Sequence, residues 1–447
     1  MKEPRQSRKP SLAAPLRWVG LTVRVILGPP ARAVRGSARR VADPARQVVD
    51  YWGSERRTMR QAFVAVIIAS ATSLIAGLAL AGMQHRMDQI PGLFVLIPVS
   101  IGMRGNIFGA LAARLGTSIH TGLFVVSRRR DAILYQNVYA ATLLTIATSV
   151  TMAFLARSIA ALLHIPTVSI WDLTVIALAG GLLSSAVVLA VTVLLSVKSL
   201  RRGWDLDTVG APLITAMGDV VTLPCLLLAS YLAAIDIFTP LAGTAAVVTG
   251  ALALVRGWTV ALPVARRIVR ESFPVLCIAI VLDVLAGSVI EPRLETVFFS
   301  WTAFLIIIPG FLENTGALGS VLAARLGSKL HLGAVTAKAK PEAAALLDGS
   351  IVLVLGLTVY LLTAGWTLVA SEIFNRAYPG VATFIGVVAF GGLLATLVAG
   401  IIGYYAAIIS YRLGLDPDNH TIPLVTSGMD LLGVICLVVA LVVFQVA

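Results

Sequence analysis

Long apolar stretches without a single charged side chain recur along this 447-residue chain, among them Gln61–Gly82, Leu173–Val197 and Gly380–Ser410. At 1.5 Å per residue, a helix of roughly 20 such residues crosses the ~30 Å hydrocarbon core of a bilayer. Lipid offers the backbone no hydrogen-bond partners, so a spanning segment is either a helix or part of a closed barrel. Barrel strands alternate apolar and polar residues over about ten positions, and no stretch here does so. The fold class read from the sequence is therefore an all-α integral membrane protein. Composition agrees: 58% of the residues are hydrophobic and 13% charged, where soluble domains carry about a quarter charged residues.

The formal net charge of +13 could suggest nucleic acid, but topology accounts for it. Met1–Arg60 holds 14 of the 35 Lys and Arg residues. Basic residues stay on the cytoplasmic side, which places the N-terminus inside, against anionic headgroups. Within this tail, Leu16–Leu27 is either a short amphipathic helix on the membrane surface or part of a disordered basic segment. The first long apolar stretch begins only near residue 61, which argues against a cleaved signal peptide. Cys225, Cys277 and Cys436 all fall inside apolar stretches and read as lipid-buried hydrophobes, not as disulfide partners or zinc ligands.

An internal repeat organises the rest. At an offset of 211, Pro98–Gly116 lies over Pro309–Gly327, with Leu111–Gly116 and Leu322–Gly327 identical and His120 and Gly122 recurring as His331 and Gly333. Downstream, Asp205, Asp207, Pro212, Leu213, Thr215, Asp219 and Cys225 recur as Asp416, Asp418, Pro423, Leu424, Thr426, Asp430 and Cys436. With the basic loops inside, the first unit crosses at about 61–82, 90–126, 132–163, 168–198 and 209–233. Five crossings alone would invert the second copy. The linker 238–255 is apolar enough to add one more, and Arg256, Arg266, Arg267 and Arg270 follow it. The second unit then crosses at about 272–291, 298–334, 345–370, 380–411 and 420–446. The expectation is about 11 transmembrane helices: two parallel, pseudo-symmetric five-helix repeats related by an axis along the membrane normal. Its parts are a basic cytoplasmic tail over 1–60, a first repeat over 61–235, a linker with a transmembrane helix over 236–270 and a second repeat over 271–447. The C-terminus is expected outside the cell membrane.

A carboxylate at mid-depth in a span is costly, and its presence there suggests function. Asp219 sits about ten residues, roughly 15 Å, into its helix, and Asp430 at the same depth in the second unit. Such a group takes up a proton unless a cation or water lies beside it. Magnesium sheds its waters reluctantly and is commonly held by one or two carboxylates with several waters retained. Thr215 and Thr426, one turn earlier on the same face, can add hydroxyl or backbone oxygen. Pro212 and Pro423 either loosen carbonyls near the cytoplasmic ends or simply start the helices. Asp416, Asp418 and Asn419, with Asp205 and Asp207, either concentrate cations at the inner mouth or balance Arg201 and Arg202.

The glycine block is less symmetric. Gly102, Gly105, Asn106 and Gly109 in the first unit face Glu313, Gly316, Ala317 and Ser320 in the second, beside Gly310, Asn314 and Gly319. So much glycine in a long span implies either an interrupted helix with carbonyls toward the ion path or close helix packing. Gly105, Asn106, Glu313, Asn314 and Gly316 are thus pore-lining candidates. Arg114 and Arg325 read as an inner anchor or a carboxylate partner, and His120 and His331 as satisfied histidines. Asp283 has only Thr72 opposite it, and is either a coupling residue or a packed polar group. No GxxxxGK[ST] loop or nucleophile–base array appears, which argues against ATP-driven transport and against an enzyme.

The block Pro98–Gly122 and the run Asp416-Pro-Asp-Asn-His-Thr-Ile-Pro-Leu-Val-Thr-Ser-Gly-Met-Asp430 resemble MgtE-type magnesium transporters, most of all the two-repeat solute-carrier branch. The resemblance spans both repeats. It implies a magnesium site between the fifth helices, with Asp219 and Asp430 binding largely through water. MgtE itself is dimeric, and the two repeats here imply a monomer with an internal pseudo-dimer. The soluble magnesium-sensing domains of MgtE have no counterpart in the 60 basic-rich residues upstream. The expected function is a divalent cation transporter or channel with the path between the repeats, magnesium its transported ion and no organic cofactor or nucleic-acid partner. Two rivals stay open: another divalent cation (cobalt, zinc, manganese) or a sodium-coupled exchanger, and a non-transporting scaffold or cation sensor. The scarcity of Cys and His near Asp219 and Asp430 weighs against a soft metal.

Overall fold

Breaks in the apolar pattern set where the helices end. The computed structural model describes residues 48, 51–53, 56–127, 129–202, 206–414 and 421–446. The tail up to residue 47 lies outside them, as do Asp205, Asp416, Asp418 and Asn419. Residues from Ser54 onward form one unit. Its helices are α1 (Arg56–Gly82), the short α2 (Gln84–Gln89), α3 (Leu96–His120), α4 (Ile133–Leu162), α5 (Ile170–Arg202), α6 (Leu206–Ser230), α7 (Phe238–Thr259), α8 (Pro263–Ile290), α9 (Ala303–His331), α10 (Ala343–Ile373), α11 (Val381–Leu413) and α12 (Ile422–Val443). Among the described residues there is no strand, and nine helices are long and apolar enough to cross a membrane by length and composition. The apolar parts of α1 and α6, Ile67–Gly82 and Ile214–Ser230, are shorter.

The helices form two series at the sequence offset: α5 and α11 are displaced by 211 residues at both ends, and the other pairs match to within a few residues. The expected spans 90–126 and 298–334 are too long, because the chain turns before each helix begins. Ahead of α3, Pro91 and Gly92 break the chain, Gly92 at φ +81°, a conformation that only glycine adopts without strain. Ahead of α9 run a 3-10 turn, Glu291–Arg293, and a π turn, Leu294–Phe298. The Gly92 N–H donates to Glu291 Oε1 at 2.6 Å, tying the two breaks together.

The glycine block does not interrupt α3 or α9, which run as continuous helix through it. Its glycines serve close packing instead, since a bundle in lipid gains cohesion where backbones approach. The linker helix α7 follows the same rule: Gly243, Ala246, Gly250, Ala253 and Gly257 make a buried stripe along it, and it packs on α4 and α5.

One feature of the packing was invisible in the repeat pattern. α1 packs on α9 and α10 of the other series as well as on α6, and α8 packs on α3 and α4 as well as on α12. The first helix of each series thus crosses to the other. Both crossings are backbone-close. A Cβ on Gly77 of α1 would overlap the carbonyl of Ile306, and one on Gly287 of α8 would lie 2.9 Å from the backbone of Val95. Val95 and Ile306 are themselves 211 residues apart.

Candidate cation site

Each of the two repeated aspartates stands on the fifth helix of its series. Asp219 on α6 is buried, and Asp430 on α12 is half-buried. The threonines one turn earlier meet the glycine block in the same way in both series. A Cβ on Gly105 would touch Thr215 Cγ2 at 3.5 Å, and one on Gly316 would touch the Thr426 side chain at 3.5 Å. Gly105 with Thr215 and Gly316 with Thr426 are therefore equivalent pairs, where a Cβ would just touch the threonine and a longer side chain would press α3 against α6 and α9 against α12.

Asn106 links the series. Its Oδ1 accepts from the Thr426 hydroxyl at 3.3 Å, and its Nδ2 reaches Ser427 Oγ at 3.5 Å. Pro423 lies in the first turn of α12, where its missing N–H costs nothing. It lines a small recess with Asn106, Arg114 and Ser272, and its carbonyl accepts from Thr426 at 3.1 Å. Pro212 lies within α6, in its second turn.

Neither aspartate faces only its twin. The carboxyl of Asp219 lies against that of Glu313 on α9, and that of Asp430 against Asp283 on α8. Glu313 also accepts from the Ser73 hydroxyl on α1. Asp283 is completely buried, and neither of its oxygens makes a hydrogen bond of regular geometry among the described residues, the Ser427 hydroxyl being the donor beside it. Two acidic pairs result, and Asp430 also acts electrostatically on Asp219 and Glu313, so the four carboxyls share one region of the bundle. Among the described residues no three His, Cys, Asp or Glu side chains gather as a metal cluster. A hydrated hard cation needs none: one or two carboxylates suffice when the remaining positions hold water.

Other candidates have local partners. Asn314 donates to Thr363 Oγ1 at 3.2 Å. Arg114 binds Asn137 Oδ1 at 3.0 Å, and Arg325 binds Asp348 Oδ1 at 2.9 Å. These two contacts correspond residue for residue under the offset, which makes both arginines anchors and Arg325 a carboxylate partner. His331 is bonded to the Gly327 carbonyl at 2.8 Å and sits edge-on to Tyr411, a satisfied histidine.

The sequence reading missed Arg104. It is 1% exposed on α3, donates to Ser185 Oγ at 2.5 Å and to the Gly181 carbonyl at 3.3 Å, and backs α6 at Gly218. A lone arginine inside an apolar stretch was the available signal.

The sequence of the chain matches a family model described as MgtE, divalent cation transporter, twice, over residues 97–229 and 308–440. The two matches are displaced by the same 211 residues and together cover more than half of the chain. It is 24% identical to rat solute carrier family 41 member 3 over 84% of this chain and 85% of the relative. It is 25% identical to mouse solute carrier family 41 member 3, over 83% of this chain and 80% of the relative. Human solute carrier family 41 member 2 is 23% identical over 83% of this chain and 68% of its own length. No solved structure matches the chain. With two copies of the family's transport domain in one polypeptide of membrane helices, the chain belongs to the MgtE family of divalent cation transporters.

Proposed function

We propose that this protein carries a divalent cation, magnesium first, across the cell membrane along a path between its two repeats, with Asp219 and Asp430 as ligands. The observation that supports this most is that both repeated aspartates are held inside the helix bundle against a second carboxyl. Opposed carboxylates in a low-dielectric interior repel strongly, and a doubly charged cation between them removes that cost. Oxygen is the only donor these residues offer, which favours a hard cation over zinc or cobalt. Thr426 and Asn106 add neutral oxygens one turn below, so an ion moving along α12 exchanges water for protein oxygen in steps.

In this reading the two series are parallel halves of five helices, α7 restores the orientation of the second, and the N-terminus is cytoplasmic and the C-terminus outside. The working unit is one chain. Direct test comes from proteoliposomes loaded with a magnesium-sensitive dye. Asp219→Ala and Asp430→Ala should each abolish magnesium entry, with normal incorporation. Full flux in the double variant would refute the assignment. A wild-type protein that binds magnesium but passes none down its gradient would favour a sensor instead. Dependence of the flux on a sodium gradient would favour exchange.

A further inference from the structure

At the offset of 211, the two acids that face the repeated aspartates have no acidic counterparts: Asp283 corresponds to Thr72, and Glu313 to Gly102. In three dimensions they answer each other. Asp283 on the crossing helix α8 stands opposite Gly102 of α3, so close that a Cβ on Gly102 would lie 2.6 Å from Asp283 Oδ2. At the matching contact between α9 and the crossing helix α1, the acid sits on the other partner. Glu313, the counterpart of Gly102, reaches Ser73, the neighbour of Thr72. Each contact therefore holds one carboxyl, supplied from the crossing helix on one side and from the crossed helix on the other. Each delivers it to the fifth-helix aspartate of that side, Asp283 to Asp430 and Glu313 to Asp219.

Asp283 makes the requirement explicit. It is 0% exposed, and neither oxygen makes a hydrogen bond of regular geometry; the Ser427 hydroxyl is the one donor beside it, while the Asp430 carboxyl faces it. Buried acceptors short of donors are rare and costly, and two carboxyls aimed at each other need a proton or a cation between them. We propose that Asp219 with Glu313 and Asp283 with Asp430 form two adjacent sites for divalent cations, each open to water on its remaining positions, so that one chain holds two ions. Glu313 and Asp283 are then ligands in their own right, and the sequence asymmetry of the repeats conceals a symmetric pair of sites. This rests on the transport reading above and extends it.

The test is ion stoichiometry, with manganese(II) as a paramagnetic probe titrated into the purified full-length chain in detergent and its free fraction read by electron paramagnetic resonance. The wild type should bind two ions per chain, both displaced by magnesium. Asp283→Asn should bind one, and Glu313→Gln one. A single ion in the wild type, or two retained in Asp283→Asn, overturns the proposal. So does loss of all binding in both variants, which would mean one shared site. Should Asp283→Asn fail to fold, the double variant Gly102→Glu with Asp283→Ala carries the test. It moves the acid to the place that Glu313 occupies on the other side, and it should bind two ions; one ion in that folded variant overturns the proposal. Flux separates the two readings: unchanged flux in Asp219→Ala with Asp430→Ala sinks the transport assignment, whereas lost flux there with two ions still bound in Asp283→Asn sinks only this one.

Discussion

Removing the carboxylate of Asp348 should destabilise the fold by an amount that its counterpart in the first series helps to fix. Asp348 is 0% exposed and holds Arg325 at 2.9 Å and Lys329 at 2.6 Å, whose side chains are 18% and 25% exposed. Taking one partner from a buried ion pair typically costs about 3–5 kcal/mol, because a charge is left without compensation. Here both cations keep a route to water or headgroups along their aliphatic stems, which lowers the expected cost of Asp348→Ala to about 2–3 kcal/mol. Asp348→Asn should be milder. At the equivalent position Asn137 gives its Oδ1 to Arg114 at 3.0 Å, so an amide satisfies this arginine site and the charge-assisted Lys329 bond is the main loss, at about 1.5 kcal/mol. Unfolding titrations in mixed detergent–dodecyl sulfate micelles measure both values. Equal losses for the two variants, or a wild-type midpoint for Asp348→Ala, would refute the reasoning.

The remaining predictions concern the site and the crossings. Gly316→Val should drive α9 off α12 and lower magnesium flux at least tenfold, whereas Gly327→Ala, with nothing within 4 Å of its added Cβ, should leave flux and folding unchanged in the same assay. Gly77→Leu should place a side chain against the Ile306 carbonyl and sharply reduce the monodisperse peak in fluorescence-detected size exclusion. Outside the membrane, Lys338 and the Thr336 hydroxyl bonded to Glu342 hold its carboxyl down at about 2. A depressed carboxyl stabilises its loop above the ordinary carboxylate range and loses that contribution only as pH falls toward 2. The loop is therefore insensitive to pH near neutrality, and Glu342→Gln should speed tryptic cleavage after Lys338 at constant pH.

Much of this architecture was legible in the sequence because lipid enforces it. Every span had to be a helix, and the helix boundaries fall within a few residues of the apolar stretches except where Pro91, Gly92 and Pro292 turn the chain. The repeat was legible for the same reason that the family match falls twice at one offset. Partner choice was not legible. In a soluble helix the apolar stripe names the buried face, but in a bundle facing lipid all sides are apolar, so nothing in α1 or α8 announced that they cross. The site was half legible: Asp219 and Asp430 stood out by recurrence. Glu313 and Asp283 stood out too, as pore-lining and coupling candidates, but their pairing with Asp219 and Asp430 did not, because comparing equivalent positions cannot reveal a contact that takes its acid from one helix on one side and from the other helix on the other.

The crossing of α1 and α8 also decides which end of the polypeptide protects which half. A lesion that removes residues up to Gly82 strips cover from α9 and α10, so the damage would be felt around Glu313, 231 residues downstream, before it is felt around Asp430. For the same reason, two separately expressed halves would each present an orphaned first helix and an uncovered groove. They would come together only by trading those helices, as arms are linked, and either half alone would pair with a second copy of itself.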